Sequence, residues 1–254
     1  MLRTVRVTRY VTPLREGGSL PAIVEAEDDG LYVLKFRRAG QGPLALVAEL
    51  ISGEIGRLLG LRVPELVLME LGECIGRNEP DPEIRELLLA SVGLNLGLDY
   101  LPGATMFDPA ARDVLDAATA SKTVWFDAFV TNIDRTPKNT NLLWWHKQLY
   151  LIDHGASLYF HYNWRDIGVA AVKPFLAIKD HVLLPWASQI AEVDGELRVK
   201  LDDSAVWRIT SAVPREWLQE RAGPTAEGYT QYLTTRLRSS GFVDDAVRAH
   251  AQLV

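Results

Sequence analysis

The chain is poor in the features that mark secreted, membrane-embedded or nucleic-acid-coating proteins. Cys74 is the single cysteine in 254 residues. No internal disulfide can form, which suits a reducing compartment, and a lone Cys of this kind is expected as an inert core residue. No stretch approaches the roughly 20 apolar residues that a membrane span needs. Residues 1–13 alternate polar and apolar side chains where a signal peptide would carry an apolar run. These absences predict a cytoplasmic protein without a membrane span. Positive charge is also in deficit. Lys and Arg number 27 against 33 Asp and Glu, for a net charge of −6 and a pI near 5.4. That argues against a nucleic-acid partner held by a broad basic surface, while leaving room for a local basic pocket around a phosphorylated ligand. Internal repeats and low-complexity tracts are missing too.

What remains is a foldable globular chain. Apolar residues make up 48% and charged residues 24%, enough for a full core and too few charges for disorder. The length fits one large domain or two small packed lobes.

The first hundred residues read as strand-rich, with strands expected at 4–11, 20–26, 31–36, 63–70 and 94–101 and a turn at Asp28-Asp29-Gly30. Between them, 44–60 reads as an amphipathic helix, since Val47, Leu50, Ile51, Ile55, Leu58 and Leu59 recur at helical spacing and Gly60 offers a stop. The character changes after Pro102-Gly103. A long helix is expected over 109–131, opened by Pro109 and capped by Asp108. A hairpin follows, with strands 141–145 and 148–153 about a turn at His146-Lys147. From about 183 the pattern is mainly helical. Strands first and helices later predict an α+β architecture of two lobes, residues 1–103 and 104–254.

The chemically informative stretch runs from Val130 to Ser157. Asp134 lies five residues before Asn139, Asn141 opens the hairpin, and the hairpin ends in Ile152-Asp153-His154-Gly155. Phosphoryl transfer gives these residue types a common purpose. Magnesium takes oxygen ligands, one or two carboxylates plus substrate phosphates. A carboxylate at Asp153 and a carboxamide oxygen at Asn139 can meet at one metal if the hairpin folds the chain back. A separate carboxylate, Asp134, can orient and deprotonate an acceptor hydroxyl. Gly155 would let the backbone turn away after the metal ligand. Each piece alone also reads as an ordinary turn; the specificity lies in their order around one strand–turn–strand.

This segment resembles the catalytic and metal-binding segments of the HipA-like kinases, a branch of the protein-kinase-like superfamily. The matching stretches are YVLKF (32–36), AELISGEIGRLLGLRVPE (48–65), DYLPG (99–103), WFDAFVTNIDRTPKNTNLLW (125–144) and LIDHGASLYFH (151–161). The resemblance spans about 15–185 and is closer to the short members than to the longer toxin. It implies a two-lobed protein-kinase-like fold and ATP- and Mg-dependent phosphorylation, with a protein Ser/Thr hydroxyl as acceptor. The Asp134-Arg135 pair is also similar to type II phosphatidylinositol kinases, so a small molecule or lipid headgroup is a second acceptor class. A nucleotide-binding pseudokinase is the third reading, and the joint presence of Lys35, Asp134, Asn139 and Asp153 argues against it.

In the N-lobe, strand alternation puts Lys35 on one face with Leu31 and Val33. A lysine on an apolar face needs an anion, and nucleotide phosphates would supply one. Its helix partner is Glu49, the family position, or Glu54, which falls within the apolar stripe. Gly17, Gly18 and Ser19 could bring backbone amides to phosphates, or form a plain turn. Asp99, Tyr100 and Leu101 occupy the interlobe hinge, where adenine would bind through backbone groups. Trp125, Trp144 and Trp145 read as packing residues. His146, His154, His161 and His181 have no zinc-like spacing, with His154 notable for adjoining Asp153. Between His161 and His181, where an activation or acceptor-binding loop would lie, there is no Ser or Thr.

Overall fold

The computed structural model describes residues 2–14, 20–77, 79–110, 115–220 and 222–253. The expected phosphate loop, Gly17, Gly18 and Ser19, lies outside them.

Five strands form the first layer: β1 (Thr4–Pro13), β2 (Ala22–Ala26), β3 (Leu31–Lys35), β4 (Leu66–Leu71) and β5 (Gly93–Asp99). They pair in the order β1-β2-β3-β5-β4, and β4 returns to β1 in parallel through Thr4↔Leu68, Val5↔Met69 and Arg6↔Glu70, which closes a barrel. Alternation decides what fills it. Val5, Val7, Ala22, Val24, Tyr32, Leu34, Val67 and Met69 point inward and are buried together, as period-two side-chain geometry requires. Helix α2 (Pro82–Ala90) adds Ile84 and Leu88 to this core. The sequence reading passed over α2, although Asp81 caps it by accepting from the Glu83 amide at 3.0 Å and Pro82 opens it.

Helix α1 (Pro43–Leu59) packs outside the barrel and belongs to a second, larger core. There Leu50, Ile51 and Ile55 meet Leu66, Leu96 and Leu98 of the sheet and Val124, Phe126 and Phe129 of α3 (Ala117–Val130). One apolar mass therefore joins α1 to the C-terminal half. Gly60 ends α1 in the left-handed conformation, φ 87°, and its amide donates to Arg57 O. Helix α3 starts later than expected. Asp116 is the cap, accepting from the Thr119 amide at 2.8 Å, while Asp108 only closes a turn onto the Ala110 amide. Two Asp-led starts compete in the sequence, and the later one holds the helix.

After α3 comes the hairpin β7 (Leu142–Trp145)–β8 (Gln148–Leu151), edged by the two-residue β6 (Thr105–Met106), which precedes α3 in the chain. His146 and Lys147, at φ 48° and 60°, make the two-residue turn, the left-handed pair that matches hairpin twist. The rest is helical: α4 (Ile167–Val172), α5 (Ile190–Lys200), α6 (Asp203–Thr210), α7 (Arg215–Gln219), α8 (Ala226–Arg238) and α9 (Gly241–Ala251). The architecture is α+β, with a strand-rich N-terminal lobe and a mainly helical C-terminal lobe. No helix among the described residues is long and apolar enough to cross a membrane. Cys74 departs from expectation. It is exposed in a turn flanked by Gly72, Glu73, Gly76 and Arg77, where too few apolar side chains meet to bury it.

Gly60→Ala should destabilise the protein by about 1 kcal/mol, because a Cβ disfavours the left-handed cap. Urea denaturation should show a lower midpoint at an unchanged slope.

Candidate active site

The site gathers where β3, α1 and the exit of the β7–β8 hairpin converge. Lys35 is the last residue of β3. Tyr32 and Leu34 point into the barrel, so Lys35 shares the outer face with Leu31 and Val33, the side on which α1 packs. That face is only partly apolar in practice, since Leu31 is 40% exposed. The Lys35 ammonium is held between two carboxylates, donating to Glu49 Oε2 at 2.7 Å and to Asp153 Oδ1 at 2.7 Å. Glu54 is elsewhere, 3.3 Å from Arg57, and makes no contact with Lys35. Burial alone would lower the lysine pKa, but Asp153 and Glu49 raise it above its usual value. Glu49 is fully buried. Burial pushes its carboxyl up, and Lys35 followed by His154 outweighs that, bringing it down to about 2.

His154 is buried and places Nδ1 3.4 Å from Glu49 Oε1, with its ring edge-on to Phe126. It thus supports the side of Glu49 that Lys35 does not use. Asp153 itself is left-handed, φ 54°, as are Thr131, Asn141 and Leu158 nearby. Non-glycine residues in that region are strained by about 1 kcal/mol or more and gather at functional sites. The chain turns at Gly155 as expected, the Ser157 amide donating to His154 O at 2.9 Å across Gly155 and Ala156. The turn does not require glycine, since Gly155 has no positive φ and a Cβ there would make ordinary contact with Ala45 O at 3.6 Å. The left-handed backbone lies at Asp153, just before it.

Asp134 lies on the loop after α3. Its Oδ2 accepts from Asn139 Nδ2 at 2.8 Å and Asn141 Nδ2 at 3.3 Å, and its amide donates to Asn132 Oδ1 at 3.1 Å. Oδ1 has no hydrogen-bond partner among the described residues. Burial raises the Asp134 pKa and the charge of Asp153 adds to it, against the pull of the two Asn amides. Asn139 reaches the group through Asp134, which orients its carboxamide.

Of the residues expected at the hinge, Asp99 ends β5 and Tyr100 and Leu101 follow it. Asp99 N donates to Glu65 O at 2.9 Å and Tyr100 N to Leu31 O at 3.0 Å, while the amide of Leu101, a buried residue, has no acceptor among the described residues. A buried amide left open wants a partner.

Sequence reasoning missed the support beneath the loop. Asp127, buried in α3, accepts from Asn132 at 2.9 Å, from Arg135 Nε at 2.6 Å and from His181 Nε2 at 2.8 Å. Arg135, also fully buried, donates onward to the carbonyls of Asn141 and Ile152. Arg135 and then His181 hold the Asp127 carboxyl well below the usual range, against the upward push of burial. An Asp within an otherwise apolar helical run was the available signal.

A family model described as HipA-like kinase matches residues 7–240. The chain belongs to the HipA-like kinase family. A search of curated protein sequences finds no match. Among solved structures, this kinase is similar to the Helicobacter pylori proinflammatory kinase CtkA at 13% identity, with 98% of this chain and 99% of that chain covered and a TM-score of 0.55. It is similar to the Golgi casein kinase with Mn/ADP bound at 12% identity, covering 98% and 73%, with a TM-score of 0.54. These likenesses are of fold.

The depressed pKa of Glu49 links stability to pH. Its ionised form stabilises the fold fully above the ordinary 4.5, and the contribution is lost as pH falls toward about 2. Glu49→Gln should therefore flatten the acid limb of melting temperature against pH in that window. An unchanged acid limb in the variant would show that Glu49 carries no such linkage.

Proposed function

We propose that this kinase transfers the γ-phosphoryl group of ATP, with Mg2+, to a Ser or Thr hydroxyl of a protein, in a cleft between residues 1–103 and 104–254. The observation that carries this reading is the Lys35 ammonium held between Glu49 and Asp153, together with Asp134, whose Oδ1 has no hydrogen-bond partner among the described residues and whose pKa the like charge of Asp153 helps to raise. Lys35 would pair with nucleotide phosphates, Glu49 orients it, and the open Leu101 amide, beside Asp99 and Tyr100, suits an adenine edge. The acceptor oxygen attacks the γ-phosphorus, the bond to the bridging oxygen breaks, ADP leaves, and the hydroxyl proton passes to Asp134.

The donor set suits a magnesium ion. Asp153 offers a carboxylate and Asn139 a carboxamide oxygen, both hard ligands. Among the described residues no three His, Cys, Asp or Glu side chains cluster to hold a metal by themselves, so phosphate oxygens and water would complete the shell. Bound there, the metal would neutralise phosphate charge. The Mn/ADP complex of the similarly folded Golgi casein kinase supports the same pairing of nucleotide and divalent cation here.

A protein acceptor is favoured by the segment 161–181. Val169, Val172 and Leu176 are 70%, 52% and 71% exposed. Apolar side chains gathered in one exposed segment favour contact with a polypeptide. Incubating the protein with γ-labelled ATP and lysate, then separating protein, lipid and soluble fractions, tests the acceptor. Label confined to the lipid or soluble fraction would sink the protein assignment.

Asp134→Asn should lower turnover by about a hundredfold or more, the usual size of a general-base contribution, while Mg-ATP still raises the melting temperature. Loss of both together would mean that Asp134 braces the loop. Lys35→Ala should instead shrink the Mg-ATP melting shift itself; a shift equal to wild type would remove Lys35 from the phosphates.

A further inference from the structure

The segment that would receive the acceptor is clamped at several points. The buried Arg236 guanidinium donates to Ala171 O at 2.9 Å, Lys173 O at 3.3 Å and Ala128 O at 2.8 Å. Asp245 accepts from the Phe175 amide at 2.8 Å. Close packing ties the segment to α8 as well. A Cβ at Gly228 would stand 2.4 Å from the Trp164 ring, so the helix accepts that indole only with glycine there. At its far end, the Val182 amide donates to Arg135 O at 3.0 Å.

His181 is the hub of that far end. Its ring is buried. The Leu183 amide donates to its Nδ1 at 3.0 Å, so Nδ1 must hold a lone pair. The proton then sits on Nε2 and is donated to Asp127 Oδ2 at 2.8 Å. Burial keeps the imidazole pKa down, in keeping with this neutral tautomer. The same Asp127 carboxylate receives Asn132, which holds the Asp134 amide, and Arg135, which holds the carbonyls of Asn141 and Ile152 on the two sides of the hairpin.

We infer that His181 is a positioning residue, which through the buried Asp127 locks the end of the acceptor segment to the loop of Asp134 and to the hairpin of Asn139 and Asp153. This rests on the kinase reading and goes beyond it, since both side chains are buried and act through other residues. The segment needs no added phosphate to be ordered. Between His161 and His181 there is no Ser or Thr, and Tyr162 holds the one side-chain hydroxyl; the arginine of the loop is already committed to a carboxylate of the fold, a role that phosphate takes in switchable loops.

Two isosteric changes separate the roles of the two ring nitrogens. In His181→Gln the side-chain amide can still donate to Asp127. In His181→Asn the shorter amide can accept from Leu183 but cannot reach Asp127. The measurements are phosphate transfer, the Mg-ATP melting shift, and hydrogen exchange over residues 132–141. Expected for His181→Asn is a loss of about ten- to a hundredfold in turnover, the scale of a small misplacement of reacting groups. Its melting shift should stay normal and its exchange at 132–141 should be faster. Expected for His181→Gln is near wild-type behaviour in all three. Wild-type turnover and exchange in His181→Asn would overturn the proposal, and so would equal damage from both changes. Wild-type protein that transfers no phosphate would overturn the kinase reading instead, and the exchange comparison would then decide by itself whether His181 holds the loop.

Discussion

The contact on which the active half of this molecule depends is the ammonium of Lys35 between Glu49 and Asp153. Three elements distant in the chain supply it: the end of a barrel strand, the middle of α1 and the second residue past a hairpin. Taking Glu49 out of water is unfavourable by several kcal/mol, and only a close cation with further hydrogen bonding offsets it. Lys35 provides the cation and His154 the second contact. Asp153 differs in keeping about half its side chain exposed. The buried acid fixes the lysine, and the exposed one remains available to a ligand, so the triad is stable in one direction and open in the other.

A second buried charge centre sits below the first and works without exposure. Asp127 and Arg135 have no accessible side-chain surface. The carboxylate takes Asn132, Arg135 and His181, and the guanidinium gives Nε to Asp127 and one terminal nitrogen to the two hairpin carbonyls. Such pairs are weak evidence for added stability, since well-packed apolar residues often serve as well. Their value here is geometric. They impose one arrangement on residues that must tolerate left-handed backbone at Asn141 and Asp153.

Much of this was legible in the chain because the informative spacings are local. The hairpin, its two-residue turn, the Asp134–Asn139 interval and the Gly60 stop each depend on residues within a few positions of one another. So does the helical spacing that places Glu49 on α1, although choosing it over Glu54 took the resemblance, and the fold then put Glu49 against Lys35. The failures have physical causes. Helix α2 is short, so its Asp81-Pro82 start had little periodicity behind it. Helix α3 is buried at every residue from Thr123 to Val130, and the Asp inside that run went unremarked. The partners of Asp127 lie 5, 8 and 54 residues away. The last of these is joined only by tertiary folding, and no pattern in the chain could pair it.

The parallel closure of the barrel bears on how the chain folds. β1 can pair with β2 as soon as both exist, but its other edge waits for β4, with Thr4 opposite Leu68. Closing a connection of that length is slow compared with making a hairpin. In the interval the first strand offers an open edge of the kind that recruits other chains. Arg6 and Arg9 stand on the exposed face of that strand, and charge on an edge discourages edge-to-edge pairing. In the finished barrel Arg6 faces Glu70 and Arg9 faces Glu25, contacts too exposed to stabilise it much. In a half-made barrel the same charges would disfavour pairing of that edge with a second chain until β4 arrives.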